Sequence, residues 1–240
     1  MATIRLFKTT VTTTRVIRGL AVQRSLQPIS STRFQSSVPK RTDAVSKINA
    51  ATANMSSANA GTISDTIKHD YEELKEYYHN ILSAKDDDSK IRWQNQFTWE
   101  LARHSIGEEL VVYPAMEKHM GEAGGHLAQR DRDEHNKVKE LLYKFQGLSP
   151  TDKEFEPTIK LLWNVLGRHI EEEETEDLPK LEQAMPEGSS EKMSKSFERT
   201  KMFVPTRSHP SAPDKPPFET VAGLMAAPLD RLGDIFRRFP

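Results

Sequence analysis

The feature that most constrains this chain is a helical period of apolar residues, which runs from Ser64 to about Met185. Apolar side chains recur every three or four residues, the spacing that gives an α-helix one buried face. Turn-forming segments interrupt this pattern at "AKDDDSK", at "GEAGG" and at Gly147. We therefore predict four long helices, over 64–83, 88–119, 126–147 and 152–184. Because short connections force neighbouring helices to run antiparallel, the pattern predicts an all-α, up-down-up-down four-helix bundle.

Local signals refine the ends of these helices. Ser64 or Asp65 is expected to cap the first helix, and the acids of "AKDDDSK" suit the start of the second. Pro114 falls inside the second helix, where its missing N–H and its ring predict a kink or a break.

Histidines and glutamates stand within the predicted buried stripes. His104, His135 and His169 lie on three different helices, and Glu108 and Glu173 follow two of them by four residues. Side chains four residues apart on a helix share one face, roughly 6 Å apart. Burying an unpaired carboxylate costs several kcal/mol, and a metal ion is one of the few good partners for a buried His–Glu pair. The stripes therefore predict a metal site in the bundle core.

The ligand types narrow the choice of metal. The chain has no cysteine, which excludes disulfides, thiolate catalysis and cysteine-bound zinc or iron–sulfur clusters. Imidazole and carboxylate ligands favour iron, manganese or zinc. The segment "EEEETED" is otherwise expected to be mostly a solvated face, in particular at Glu171, Glu172 and Glu174.

Charge is distributed unevenly along the chain. The first 42 residues hold eight Lys and Arg and no acid, although the whole chain has a net charge of −1. The remainder is acidic, which argues against nucleic acid as a partner because phosphate binding needs a basic surface. No apolar run approaches the roughly 20 residues that a membrane-spanning helix needs, so no transmembrane segment is expected.

The ends of the chain differ in composition from the bundle. Residues 1–42 are rich in Arg, Ser and Thr, which is typical of a disordered mitochondrial targeting presequence and predicts import to the matrix. Residues 43–61 are small and polar and are interpreted as a linker. Residues 186–240 form a Pro-rich C-terminal extension with short helices, the first within 186–201. Its last segment carries an apolar set that could pack on the bundle, contact a membrane surface or bind a partner: Leu229, Leu232, Ile235 and Phe236.

Three segments carry a family resemblance: "RHSIGEELVVYPAMEKHM", "DEHNKVKELLYKF" and "RHIEEEETEDLPKL". Together they resemble the hemerythrin-type HHE cation-binding domain in its fungal form, over about residues 62–185. The resemblance implies a four-helix bundle around a non-haem di-iron centre. It implies that His104, His135 and His169 are nitrogen ligands and that Glu108 and Glu173 are bridging carboxylates.

The chain departs from the family pattern at two positions. On the first helix, Tyr71 stands where family members usually place a histidine, three residues before Leu74. Tyr71 could be a phenolate ligand or a hydrogen-bond donor at the site, or a bent helix could bring His69 in. We expect Tyr71 at the site and His69 at the surface. The second departure is Lys139, which replaces a histidine of oxygen-carrying hemerythrins and is expected to extend toward solvent. The resulting shortage of histidines argues against reversible oxygen carriage.

Three functional hypotheses follow. The first is a mitochondrial non-haem iron protein that binds or responds to a diatomic or peroxide ligand, with slow peroxidase or NO-related activity as an option. The second is an iron-storage or iron-responsive module that a protein partner recognises when metal is bound. The third is a metal-poor or zinc-binding scaffold that acts through protein interactions. Zinc and manganese are the alternatives to iron in the site.

Overall fold

A computed structural model describes residues 61–211 and 218–240, with side chains described for 61–211 and 225–240. The predicted presequence and all but the last residue of the predicted linker lie outside these ranges. Every regular element within them is helical. The elements are α1 (Ile63–Ser83), α2 (Asp87–Gly107), the π-helical segment π1 (Glu108–Val112), α3 (Tyr113–Gln146), α4 (Phe155–Glu172), the π-helical segment π2 (Glu173–Asp177), α5 (Leu178–Ala184), α6 (Ser189–Lys201) and α7 (Phe218–Asp234).

The first helix begins slightly earlier than predicted. Thr62 is the N-cap, and its side chain accepts a hydrogen bond from the backbone N–H of Asp65. Asp65 in turn accepts from the backbone N–H of Thr62, so the two residues form a capping box. Asp65 therefore contributes to the cap from the third helical position, and the predicted cap at Ser64 is wrong. Asp86 caps α2 as the acidic turn predicted.

The second predicted helix continues through Pro114 without breaking there. Pro114 lies in the first turn of α3, where its missing N–H has little cost. The irregularity falls just before it, in the five residues of π1, where one residue more per turn is accommodated. The real change of direction comes at Gly121, whose φ of 62° and ψ of −139° are not helical. Only glycine adopts such a conformation readily, so the predicted break at "GEAGG" is confirmed.

The core of the bundle lies between α1, α2, α3 and α4. Its apolar side chains are almost completely buried, among them Ile67, Leu74, Leu101, Leu142 and Leu162. Burial of each such side chain stabilises the fold by roughly 1.5–3 kcal/mol. The bundle is the four-helix architecture that the periodicity predicted. Within the described ranges, none of the helices has the length and apolar character needed to cross a membrane.

The C-terminal extension lies against the bundle through α6 and α7. Phe197 of α6 is fully buried and contacts the end of α2 at Gly107. The extension from Ala227 onward turns a polar side inward: Asp230 accepts hydrogen bonds from the backbone N–H groups of Thr206 and Arg207. The apolar set that the sequence singled out stays 57–82% exposed, at Leu229, Leu232, Ile235 and Phe236. These four side chains do not pack on the bundle.

Candidate metal centre

The helices bring the six predicted site residues to one buried place. Each of the six is at most 3% exposed. They come from six successive elements of the bundle: Tyr71 from α1, His104 from α2, Glu108 from π1, His135 from α3, His169 from α4 and Glu173 from π2. The helical stripes therefore converge in the middle of the bundle, away from solvent.

The central nitrogen and oxygen atoms lie close together. The Nε2 atoms of His135 and His169 are 3.0 Å apart. Glu108 Oε2 lies 3.2 Å from His104 Nε2 and 3.3 Å from His135 Nε2. His169 Nε2 lies 3.6 Å from Glu173 Oε1. Glu108 therefore stands between the imidazole of α2 and the imidazoles of α3 and α4.

Tyr71 fills the position on α1 where a family histidine is usual. Its hydroxyl donates to Glu173 Oε2 and lies 3.2 Å from Glu108 Oε1. His69 is exposed on the opposite side of α1. The phenol oxygen of Tyr71 is therefore the atom that α1 contributes to the centre.

Tyr113 is a second phenol at the site, and the sequence reasoning missed it. Its hydroxyl lies 2.9 Å from His135 Nε2 and 3.4 Å from Glu173 Oε1. In a regular α-helix, residue 113 would point about 140° away from Glu108 at roughly 100° per residue. The wider π1 turn, closed by a hydrogen bond from the Tyr113 N–H to the Glu108 carbonyl, brings Tyr113 to the same side. The only signal in the sequence was the Pro114 that follows.

Each histidine is held from behind by a carboxylate. The Nδ1 atoms of His104, His135 and His169 lie 2.9, 3.2 and 3.0 Å from carboxylate oxygens. These belong in turn to Asp70, Glu109 and Glu134. A carboxylate at Nδ1 holds the proton there and leaves Nε2 free to bind a metal. All three rings thus present Nε2 to the centre.

Lys139 does not extend toward solvent as predicted. It is 8% exposed, and its Nζ lies 2.5 Å from Glu109 Oε2. The expectation was wrong because Glu109 is itself buried. A buried carboxylate needs a close cationic partner, and the Lys139 ammonium group supplies it instead of remaining in water.

Burial and neighbouring charges shift the pKa values of the groups at the centre. Burial raises the pKa of Glu173 well above its usual range, and the neighbouring Glu108 adds to this shift. Burial likewise raises the pKa of Tyr71 and Tyr113, with both glutamates contributing. Burial also acts to raise the pKa of Glu108, but His104 and His135 outweigh it, so this pKa lies well below its usual range. A cation at the centre would compete with the protons of the groups whose pKa is raised, Glu173, Tyr71 and Tyr113.

The donor atoms fit a metal ion. Within the described part of the chain, His104 Nε2 and Glu108 Oε2 are buried and make no hydrogen bond. Two nitrogens bound to one ion at about 2.1 Å can be no more than about 4 Å apart, and those of His135 and His169 meet this limit. A cation would provide the missing partner for His104 Nε2 and Glu108 Oε2. Carboxylate, imidazole and phenol donors without sulfur suit iron, manganese or zinc.

Two further groups of acids lie near the centre. Asp70, Glu73 and Glu100 are close enough to share an ion, but Lys201 Nζ lies 2.5 Å from Asp70 and 2.8 Å from Glu100. The other group is Asp131, Glu134 and His169. Asp131 is buried, and Arg130 pairs with it at 3.0 Å.

A helical bundle that gathers three imidazoles, two carboxylates and two phenols at its buried centre defines a metal-binding protein. The chain belongs to the family of the hemerythrin HHE cation binding domain, whose model matches residues 62–181. An uncharacterized hemerythrin-like protein of Schizosaccharomyces pombe is 56% identical over 178 residues, which cover 74% of this chain and 88% of that protein.

Two more distant similarities accompany this match. A DNA nickase of Nostoc is 23% identical over 145 residues, which cover 60% of this chain and 40% of that protein. The crystal structure of a hemerythrin HHE cation binding domain-containing protein from Mycobacterium kansasii has a TM-score of 0.51. It is 20% identical, and the match covers 59% of this chain and 88% of that one. The second similarity supports the fold of the bundle.

Proposed function

We propose that this chain is a non-haem di-iron protein that binds or responds to a small ligand of the dioxygen, nitric oxide or peroxide class. The observation that carries the proposal is the position of Glu108 between His104 on one side and His135 with His169 on the other. A carboxylate between two groups of imidazoles suits the bridging of two ions, as in other di-iron bundles.

Each residue at the site has a distinct proposed role in binding the metal. His104, His135 and His169 would bind the metal ions through Nε2. Glu108 and Glu173 would be the carboxylates shared by the two ions. Tyr71 would bind as a phenolate, a hard anionic donor that favours ferric iron. Iron bound there would supply the electrons with which small oxygen or nitrogen ligands react.

The protein surrounding the centre controls protons and water. The Nδ1–H of each histidine donates a hydrogen bond to a carboxylate oxygen, so Nε2 stays available. The hydroxyl of Tyr113 lies beside His135 and Glu173 and can donate a proton to a ligand that enters the centre. The buried walls exclude bulk water and strengthen every electrostatic interaction inside.

Metal content of the full chain, expressed with iron supplied, tests the proposal. We expect two irons per chain. Tyr71→Phe should lose the visible absorption of ferric phenolate and retain less iron after dialysis against a chelator. Tyr143→Phe is the matched control because Tyr143 is 57% exposed. One zinc, one manganese or no metal per chain would contradict the proposal, and full absorption in Tyr71→Phe would contradict ligation by Tyr71.

A second candidate is a metal-poor or zinc-binding scaffold that binds another protein. The exposed apolar side chains of the C-terminal extension favour it. They are 57–82% exposed, at Leu229, Leu232, Ile235 and Phe236. Iron-loaded protein discriminates the candidates by peroxide consumption. Turnover that is lost in His135→Ala would support the first candidate, and an unsubstituted chain that neither retains iron nor consumes peroxide would favour the second.

We also propose that the chain is imported into the mitochondrial matrix. The support is the composition of residues 1–42, which carry eight basic residues and no acid. Residues 1–42 fused to a fluorescent protein should label mitochondria, and diffuse fluorescence would argue against import.

A further inference from the structure

The two buried lysines near the centre occupy equivalent places around it. Lys201 is 3% exposed and Lys139 is 8% exposed. Each ammonium group contacts a carboxylate that also faces the Nδ1 atom of a site histidine. Taking an ammonium group out of water costs several kcal/mol, so a buried lysine needs close anionic partners.

The first chain of contacts begins on α6. Lys201 Nζ lies 2.5 Å from Asp70 Oδ2 and 2.8 Å from Glu100 Oε1. The same Oδ2 atom of Asp70 lies 2.9 Å from His104 Nδ1. One carboxylate oxygen is therefore shared between the ammonium group and the imidazole. Lys201 belongs to the extension and lies beyond the residues that match the family.

The second chain of contacts lies within α3 and π1. Lys139 Nζ is 2.5 Å from Glu109 Oε2, and Glu109 Oε1 is 3.2 Å from His135 Nδ1. The third histidine differs, because its partner Glu134 has a side chain that is 15% exposed to solvent. His104 and His135 thus differ from His169 because a lysine contacts the carboxylate that pairs with their Nδ1 atom.

The physical effect of such a lysine has a definite sign. An ammonium group draws electron density toward the carboxylate that it contacts and makes that carboxylate a weaker acceptor for the Nδ1 proton. The imidazole then keeps more of its proton and donates less charge through Nε2. A fixed positive charge near a metal also disfavours its more positive, oxidised state. Both effects stabilise reduced iron relative to oxidised iron.

We propose that Lys201 and Lys139 are positioning residues that act through Asp70 and Glu109 on His104 and His135 and raise the reduction potential of the bound iron. The inference rests on the proposed iron site. It assigns a function in the metal centre to α6, since this helix supplies Lys201 and also places Phe197 against the ring of His104 at a centroid distance of 5.8 Å.

The midpoint potential of iron in the full chain tests the inference. Lys201→Met alone leaves two buried carboxylates without their ammonium partner, so the comparison uses Glu100→Gln and the double variant Glu100→Gln/Lys201→Met. The two differ only at Lys201. We expect a lower midpoint potential in the double variant, and Lys201→Arg should keep the potential of the unsubstituted chain because the charge remains.

Lys195→Met is the matched control for the substitution, because Lys195 is exposed on the same helix. It should leave the potential unchanged. An equal potential in Glu100→Gln and the double variant would overturn the inference, since a purely structural lysine changes stability and leaves the potential alone. If the double variant does not fold, Glu100→Gln/Lys201→Gln replaces it, with Glu100→Gln again as the reference and the same expected decrease.

The outcomes separate this inference from the proposed function. An unsubstituted chain that binds no iron would contradict the iron site itself. A chain that binds two irons, with a potential that does not respond to Lys201, would contradict only the role of the lysines. Lys139→Met, measured in the same way, should also lower the potential, and no change there would remove Lys139 from the inference.

Discussion

At the scale of single residues, the bundle contains buried carboxyl groups whose ionisation costs free energy. Asp131 is fully buried, and its Oδ2 atom makes no hydrogen bond within the described ranges. Burial raises the pKa of Asp131 to about 7, and the nearby Asp177 adds to the shift, while Arg130 opposes it. A carboxyl group with a raised pKa favours the folded state while it is protonated and loses this contribution as pH rises.

Asp131→Asn should therefore change the pH dependence of stability in the metal-free protein. The contribution of Asp131 is complete below about pH 4 and lost above about pH 7, so the variant and the unsubstituted chain should be similarly stable at pH 4. At pH 8 the variant should be more stable by a few kcal/mol, at about 1.4 kcal/mol per pKa unit. Urea unfolding at both pH values measures this difference.

The control for this prediction is Asp133→Asn, because Asp133 is exposed on the same helix. It should alter the free energy of unfolding equally at both pH values. A stability difference for Asp131→Asn that does not grow between pH 4 and pH 8 would contradict the assignment of a raised pKa.

At the scale of elements, the docking of α6 depends on a close approach to the end of α2. A Cβ atom at Gly107 would lie 2.7 Å from the ring of Phe197, which is too close for two carbon atoms. The side chain of Phe197 is fully buried and has little freedom to move. Glycine at position 107 therefore permits the contact between the bundle and the extension.

Gly107→Ala should destabilise the protein by roughly 1–3 kcal/mol through overpacking. Gly167→Ala is the matched control: Gly167 also lies in a helix, and its Cβ would meet nothing within 4 Å. Better helix propensity should make the control more stable by roughly 0.5–1 kcal/mol. Chemical denaturation measures both, and equal effects of the two substitutions would contradict a tight contact at Phe197.

At the scale of the whole molecule, we expect metal binding and stability to be coupled. The predicted ligands come from the four helices of the bundle and its two π-helical segments, so an ion that binds them would stabilise the folded bundle and not the unfolded chain. A ligand present at 100 times its dissociation constant stabilises the folded state by about 2.7 kcal/mol. Removal of metal should therefore lower the melting temperature of the full chain.

Glu173→Gln should lower metal content and melting temperature together. The metal-free variant should melt close to the metal-free unsubstituted chain, because burial first and Glu108 second raise the pKa of Glu173 and already favour its uncharged form. Glu176→Gln is the control, since Glu176 lies exposed in the same π-helical segment. An unchanged melting temperature in a variant that has lost its iron would show that metal does not stabilise the bundle.

The amino-acid sequence by itself determined the helical bundle and the inward histidine and glutamate pairs, because both depend on local spacing along a helix. His104 with Glu108, and His169 with Glu173, stand four residues apart and share a face whatever the rest of the chain does. The break at Gly121 was also visible, since its conformation is accessible chiefly to glycine.

Only the tertiary structure decided what surrounds these pairs. Asp70 and Lys201 are separated by 131 residues, and no periodicity connects them. Tyr113 reaches the centre through a π-helical turn, which depends on packing and escapes a pattern based on 3.6 residues per turn. Lys139 is buried because its ammonium group pairs with the buried carboxylate of Glu109. Long-range partners and helix irregularities reflect the balance of burial and charge in the assembled core, so spacing along the chain could not predict them.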